Sequence, residues 1–216
     1  MKIVVLVSLV AGCTRVAPDL PVSRAWPAVG TTMSAAAWGA DTTRVAGALT
    51  AVRDTLDRPG HVVAFDSLRR EIRGRTGVSV VAEDVLDGDA LDRAASILGG
   101  VVDSSLLNVG TQFMWVGVRQ TGRPVGIANP ANSLETWATV EMRSGSVSTT
   151  TDAEKKISVT VLAASGLVAE AWSTALVRMG LGCDRALALP ASVVCADSVR
   201  VRWTPDLEGR VLLATP

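Results

Sequence analysis

The segment ISVTVLAASGLVAEAWSTALVRMG, residues 157–180, decides how the chain is read. Its first half alternates: Ser158, Thr160 and Leu162 interleave with Val159, Val161 and Ala163, and β-branched residues dominate, which predicts a strand. Ala164-Ser165-Gly166 breaks that pattern and offers Ser165 or Gly166 as a helix cap. Val168, Ala171, Trp172, Ala175, Leu176 and Met179 then recur at helical spacing, closed by Gly180 and Gly182. On this helix Glu170 and Thr174 are four apart, so a carboxylate and a hydroxyl project the same way one turn apart. Two readings fit. One is a Glu on a partly solvated face beside a Thr bonded back to its own helix. The other is a pair of hard oxygen ligands, a set that suits Mg2+ better than zinc.

The flanking sequence supplies the rest of the fold. Upstream, strands are expected at 26–34, 78–81, 105–109, 112–118, 124–128, 136–142 and 146–150, with Thr121-Gly122-Arg123 and Arg143-Ser144-Gly145 as hairpin turns. Helices are expected from Thr42 or Thr43 with Val45, Ala48, Leu49, Val52 and Leu56 on one face, over about 65–73, and over 89–98 after an acidic turn at 83–89. Downstream, the pattern predicts strands at 185–189, 192–196, 199–203 and 210–213. The whole reads as one α+β domain with a mostly antiparallel sheet and helices grouped on it.

Composition narrows the chemistry. The 216 residues carry 21 Lys plus Arg against 21 Asp plus Glu, and the formal net charge of zero comes with no basic block, so nucleic acid is not an expected partner. Hydrophobic residues make up 48%, yet only six Trp and two Phe are aromatic, so Val, Ala and Leu must build the core. The single histidine, His61, excludes a multi-His metal site and reads as a surface-loop residue after Pro59-Gly60. Trp38, Trp115, Trp137 and Trp203 read first as packing residues and second as stacking surfaces. No nucleophile elbow, P-loop or dinucleotide fingerprint occurs, and Asp87-Gly88-Asp89 fails as a calcium loop because Asp92 and Leu98 stand where Gly and Glu are needed.

The start of the chain reads as an address. Lys2 precedes an apolar run at 3–10, and Val10-Ala11-Gly12-Cys13 is similar to a bacterial lipoprotein signal in which the Cys is lipidated. On that reading residues 1–12 are a signal peptide, 13–27 a tether from lipidated Cys13, and 28–216 the domain. The protein is then held at a membrane surface in the bacterial cell envelope, on the outer face of the cytoplasmic membrane or the periplasmic side. A buried first strand is the competing reading of KIVVLVSLV. In an oxidising envelope Cys183 and Cys195 either pair or remain two core thiols.

The 157–180 segment also resembles the FAD:protein FMN transferases, the ApbE-like flavin transferases. There an S-V-T-V strand leads into a helix A-D-A-x-[AS]-T-A whose Asp and Thr help hold the metal. The matching residues are Ala169-Glu170-Ala171-Trp172-Ser173-Thr174-Ala175, with Glu170 in place of Asp. Gly30-Thr31-Thr32-Met33-Ser34 is similar to the family's opening M-G-T-x-[MW]-S strand, and Gly88-Asp89-Ala90-Leu91-Asp92-Arg93-Ala94 to its G-Y-A-[LV]-D-x-A helix. The segments 104–112, 126–130 and 144–150 continue the resemblance.

The resemblance implies a shortened flavin-transferase fold. The implied activity is Mg2+-dependent transfer of FMN from FAD to a Thr or Ser hydroxyl of a partner flavoprotein, itself membrane-associated (protein flavinylation). Glu170, Thr174 and Asp152 would be the metal ligands, and Met33 and Asp92 would contact the flavin nucleotide. Departures are equally plain. Glu83 and Asp84 replace two glycines of the D-x-G-G-[IV]-A-K-G loop, Asp87 replaces its Lys, and the H-I-I-D-P-x-T-G segment is absent before Ile157. These losses favour the alternative of a catalytically silent envelope lipoprotein that binds flavin or protein; a third reading, a small flavin-nucleotide pyrophosphatase, keeps the metal chemistry and needs no acceptor.

Overall fold

The computed structural model describes residues 20–56, 65–117, 122–180, 182–189 and 191–214. Cys13 and His61 lie outside them, as do the apolar run at 3–10 and residues 1–12. Within them the chain opens with a hairpin, β1 (Val22–Ala28) and β2 (Thr31–Trp38), turning at Val29-Gly30. Both turn residues have positive φ, 45° and 81°, the handedness that matches the twist of the flanking strands. The single strand expected over 26–34 is therefore two, since a β-branched Val in the left-handed region is not a turn signal sequence shows. β1 also begins inside the stretch read as a tether. Trp26 is buried and pairs with Met33 across the hairpin, so the folded sheet already includes residues 22–27.

Helix α1 (Thr42–Leu56) buries Val45, Ala48, Leu49 and Val52, the face its spacing predicts. Helix α2 (Phe65–Thr76) buries Phe65 and Ile72. The β-branched run 78–81 joins no ladder among the described residues; it is extended chain that buries Val80. A 3-10 turn (Ala82–Val85) runs directly into α3 (Leu86–Leu98), so the acidic stretch at 83–89 is helical rather than a turn.

Strands β3 (Ser104–Val109), β4 (Gln112–Gly117), β5 (Arg123–Asn129), β6 (Asn132–Met142), β7 (Gly145–Asp152) and β8 (Ile157–Ala163) follow. Then come α4 (Gly166–Met179), α5 (Cys183–Leu187), β9 (Ser192–Ala196), β10 (Val201–Trp203) and β11 (Val211–Leu213). The strand expected at 185–189 is largely α5. A disulfide from Cys183 to Cys195 joins α5 to β9, resolving the two cysteines as a pair.

Every ladder among the described strands is antiparallel, in two sheets. The larger runs β1-β2-β3-β4-β7-β8-β9-β10 and the smaller β11-β6-β5. β4 and β5 thus lie in different sheets, as do β6 and β7, so Arg143-Ser144-Gly145 closes no hairpin and leads from the small sheet back to the large one; Thr121, in the other expected turn, lies outside the described residues.

Parity along the strands makes three layers. In β9, Val193 and Cys195 face a core with Trp172, Ala175 and Leu176 of α4, while Val194 and Ala196 face Ile127, Ala138 and Val140 of the small sheet. The β1–β4 half carries α1 and α3 on the helical face through Met33, Ala35, Leu107 and Val109. Because β8 is covered on both sides, Ser158 and Thr160 are buried as fully as Val159, and only the order of residue types alternates. Among the described residues no helix is long and apolar enough to cross a membrane.

Candidate functional site

The N-termini of α3 and α4 meet on the helical face of the large sheet. Ser165 caps α4, its hydroxyl accepting from the Val168 N–H at 3.2 Å. At the other end Gly180 takes φ 64°, the left-handed conformation that closes a helix. The meeting point is a glycine pair. A Cβ on Gly88 would lie 2.4 Å from the Gly166 carbonyl oxygen, and one on Gly166 would lie 2.6 Å from that of Gly88.

Four residues beyond each glycine stands a carboxylate that caps the opposite helix. The Asp92 carboxylate of α3 accepts from the Ser165 hydroxyl (2.6 Å) and from the Gly166 and Leu167 N–H groups (2.6 and 3.1 Å). Glu170 of α4 accepts from the Gly88 N–H at 2.7 Å. Each acid therefore satisfies N–H groups that a helix start leaves unpaired, and sits where the helix dipole favours negative charge. Asp92→Ala is expected to destabilise the protein by about 2–3 kcal/mol, since it strands partly buried donors rather than one exposed cap. Chemical denaturation measures this; a loss within about 0.5 kcal/mol, the range of ordinary surface changes, would refute the assigned role.

The two acids differ in what surrounds them. Glu170 is raised to about 7, first by burial and further by the charges of Asp87 and Asp84, against the opposing bond from Gly88. Burial likewise pushes the Asp87 carboxyl up. Asp84 is held low, chiefly by Arg178, whose guanidinium grips it through two 2.5 Å contacts from α4. Negative charge thus gathers at the joined helix starts, with Arg178 committed to Asp84 and Arg93 paired to Asp89 at 2.9 Å. The Asp87 Oδ2 also lies 3.0 Å from where a Gly110 side chain would begin, at the β3–β4 turn.

Support comes from β4 and β7. Gln112 is fully buried, and its amide donates to the Gly166 carbonyl (2.7 Å) and the Ser146 hydroxyl (3.0 Å). Its Oε1 accepts no hydrogen bond among the described residues. Ser173 bonds Ser148 and Thr150 of β7 and donates to the Glu170 carbonyl, fixing that turn of α4 to the sheet.

The expected site residues fall in different places. Glu170 and Thr174 share α4, both partly buried. Asp152 ends β7, where its carboxylate accepts from the Lys155 backbone N–H (3.0 Å) and Nζ (2.7 Å) and is lowered by them. Met33 is fully buried in the core beneath α1 and α3. Asp92 spends both carboxylate oxygens on the cap. No three His, Cys, Asp or Glu side chains form a metal cage among the described residues. Sequence reading took Asp87 as the replacement of a loop lysine and passed over Gln112 as well as the Gly88–Gly166 pairing. One signal was visible: G-x-x-x-[DE] occurs at both 88–92 and 166–170.

No protein-family model matches the chain, and no curated protein does either. Solved structures do match. The flavin transferase ApbE from Vibrio cholerae aligns with a TM-score of 0.72 at 12% identity, over 89% of this chain and 100% of that one. The ApbE protein from Thermotoga maritima gives 0.63 at 13%, over 88% and 99%. The Pseudomonas stutzeri flavinyl transferase ApbE, in its apo form, gives 0.62 at 16%, over 89% and 98%. The chain therefore has the ApbE flavin-transferase fold.

Proposed function

We propose that this chain is a flavin transferase of the ApbE type, moving FMN from FAD to a Thr or Ser hydroxyl of a partner flavoprotein with Mg2+ as cofactor. The observation that carries the reading is the acidic corner at the joined N-termini of α3 and α4, set within that fold. The N–H groups at these helix starts are taken by Asp92 and Glu170, so it is the gathered carboxylates that favour a cation, and the cation that would bring a phosphate.

The donor set fits magnesium. Glu170, Thr174 and Asp152 offer oxygen only, and Mg2+ commonly takes one or two carboxylates and completes its shell with water and substrate phosphate. Burial is the main cause of the raised Glu170, with the charges of Asp87 and Asp84 adding to it, and a divalent ion beside the carboxylate would offset that penalty. Glu170 and Thr174 would hold it, with Asp152 a third candidate from the end of β7. Bound there, the ion supplies neutralisation of the charge that builds on the pyrophosphate.

In the transfer, the acceptor oxygen bonds to the FMN phosphorus, the phosphorus–oxygen bond to AMP breaks, and AMP leaves with the electron pair. Asp87, held above the usual carboxylate range, takes the hydroxyl proton. Met33 and Asp92 enter through the architecture they fix rather than through free groups. The envelope placement belongs to the same proposal: lipidated Cys13 would anchor the domain to the membrane, within reach of a membrane-associated acceptor.

A second reading has specific support. Asp84 is committed to Arg178, Asp92 to α4 and one Glu170 oxygen to Gly88, so three acids already do structural work. That favours a silent flavin- or protein-binding module. Incubating the protein with FAD, Mg2+ and a Thr-bearing acceptor peptide separates the readings. AMP with a flavin-modified peptide is the expected result. AMP with free FMN indicates a pyrophosphatase, and neither product leaves the silent module.

A further inference from the structure

The face of β4 that turns away from the helices carries a separate cavity. Gln112 and Met114 point to the helical layer, so Phe113 and Trp115 point outward. Leu106 lies opposite Trp115 in register, and Trp38 of β2 meets the Trp115 ring at 5.8 Å between centroids with planes tilted by 40°. Across the gap stand Arg123 and Met142, paired in register on β5 and β6 of the small sheet. These residues line a cavity of about 600 Å³ where the two sheets diverge. The size suits a small ligand.

Its charge is one-sided. Among the described residues, Arg123 is the only ionisable one in the lining, exposed at the rim with its guanidinium carbon 5.9 Å from the Trp115 ring centroid. Glu141, the neighbouring acid, alternates to the other face of β6 and binds Arg143. Aromatic walls select a flat apolar body, and a rim guanidinium selects a carboxylate.

We infer that this inter-sheet slot binds a planar aromatic carboxylate, at a site separate from the acidic corner on the opposite face of the large sheet. The ring system stacks between Trp115, Phe113 and Leu106, and the carboxylate meets Arg123. The inference does not depend on the transferase reading.

The probes are 2-naphthoate and its neutral analogue 2-naphthol, titrated into the full chain at pH 7 by calorimetry and tryptophan fluorescence. Saturable naphthoate binding is expected. Arg123→Gln, at an exposed position, should weaken it about tenfold, the loss of one charge-assisted contact. The same change should leave naphthol unaffected. Phe113→Ala should weaken both probes. FAD should not displace naphthoate. Failure to saturate at millimolar naphthoate, equal binding by Arg123→Gln, or displacement by FAD would each overturn the inference.

Discussion

Glu170→Gln is expected to make the protein more stable than wild type at pH 8, equal to it near pH 4.5, and insensitive to magnesium. The sign follows from the direction of the shift. Glu170 is raised from 4.5 to about 7 by burial and by Asp87 and Asp84. Below the lower value both folded and unfolded chains hold the proton, and the group contributes nothing to the pH dependence. Between the two, the unfolded chain releases a proton that the folded chain keeps, so stability falls as pH rises. Above pH 7 the buried charge carries its full penalty, about 2–3 kcal/mol once residual solvation is allowed for. Gln removes the charge and keeps an oxygen for the Gly88 N–H.

Magnesium separates the functional reading from plain burial. In wild type at pH 8, Mg2+ at a hundredfold excess over its dissociation constant should add about 2.7 kcal/mol, and in Glu170→Gln nothing. AMP release from FAD should drop by about a hundredfold or more, as expected when a group stabilising transition-state charge is lost. Urea melts from pH 4.5 to 8, with and without Mg2+, provide the check. Parallel pH curves for the two proteins would show that Glu170 is not the buried acid. A pH difference without any magnesium response would leave the silent module standing.

How far the sequence discloses this site depends on how far apart the partners are. The strand, break and helix at 157–180 were legible because each rests on local rules: alternation, a Ser cap and a left-handed Gly. So were α1 and the strands of the central region. What Glu170 does was not legible, because its partner Gly88 is 82 residues away and contributes only a backbone N–H. Local rules also cannot assign strands to sheets. Residues 112–117 and 123–129 alternate in the same manner, yet they lie in different layers. The run 185–189 failed for a different reason: five residues are too few for period to tell helix from strand, and α5 is tied by a disulfide from β9. Asp87 drew attention as a departure from a glycine-lysine loop, while its burial, which gives it chemical interest, became visible only once α3 was laid against α4.

Gly88→Ala is expected to be among the most damaging single-methyl additions available in this chain. The new Cβ would come within 2.4–2.6 Å of the Gly166 carbonyl and the Leu167 nitrogen, and all three nearest atoms are backbone. No side chain can rotate away, so α3 and α4 must separate. Overpacking alone costs about 1–3 kcal/mol. Separation also stretches both reciprocal caps: the charged bond from Gly166 to Asp92, worth about 1.5–3 kcal/mol, and the Gly88 bond to the raised Glu170, worth about 0.5–1.5 kcal/mol. The combined loss, about 4 kcal/mol or more, is comparable with the whole stability of a marginal domain. Gly166→Ala should behave alike, since the contact is mutual. Gly47→Ala is the control: it lies within α1 with nothing within 4 Å of its Cβ position, and should stabilise by about 0.5–1 kcal/mol. Urea denaturation of the three variants tests the argument. If Gly88→Ala unfolds at the wild-type midpoint while Gly47→Ala rises, the helix starts do not touch through backbone, and the acidic corner between them loses its geometry.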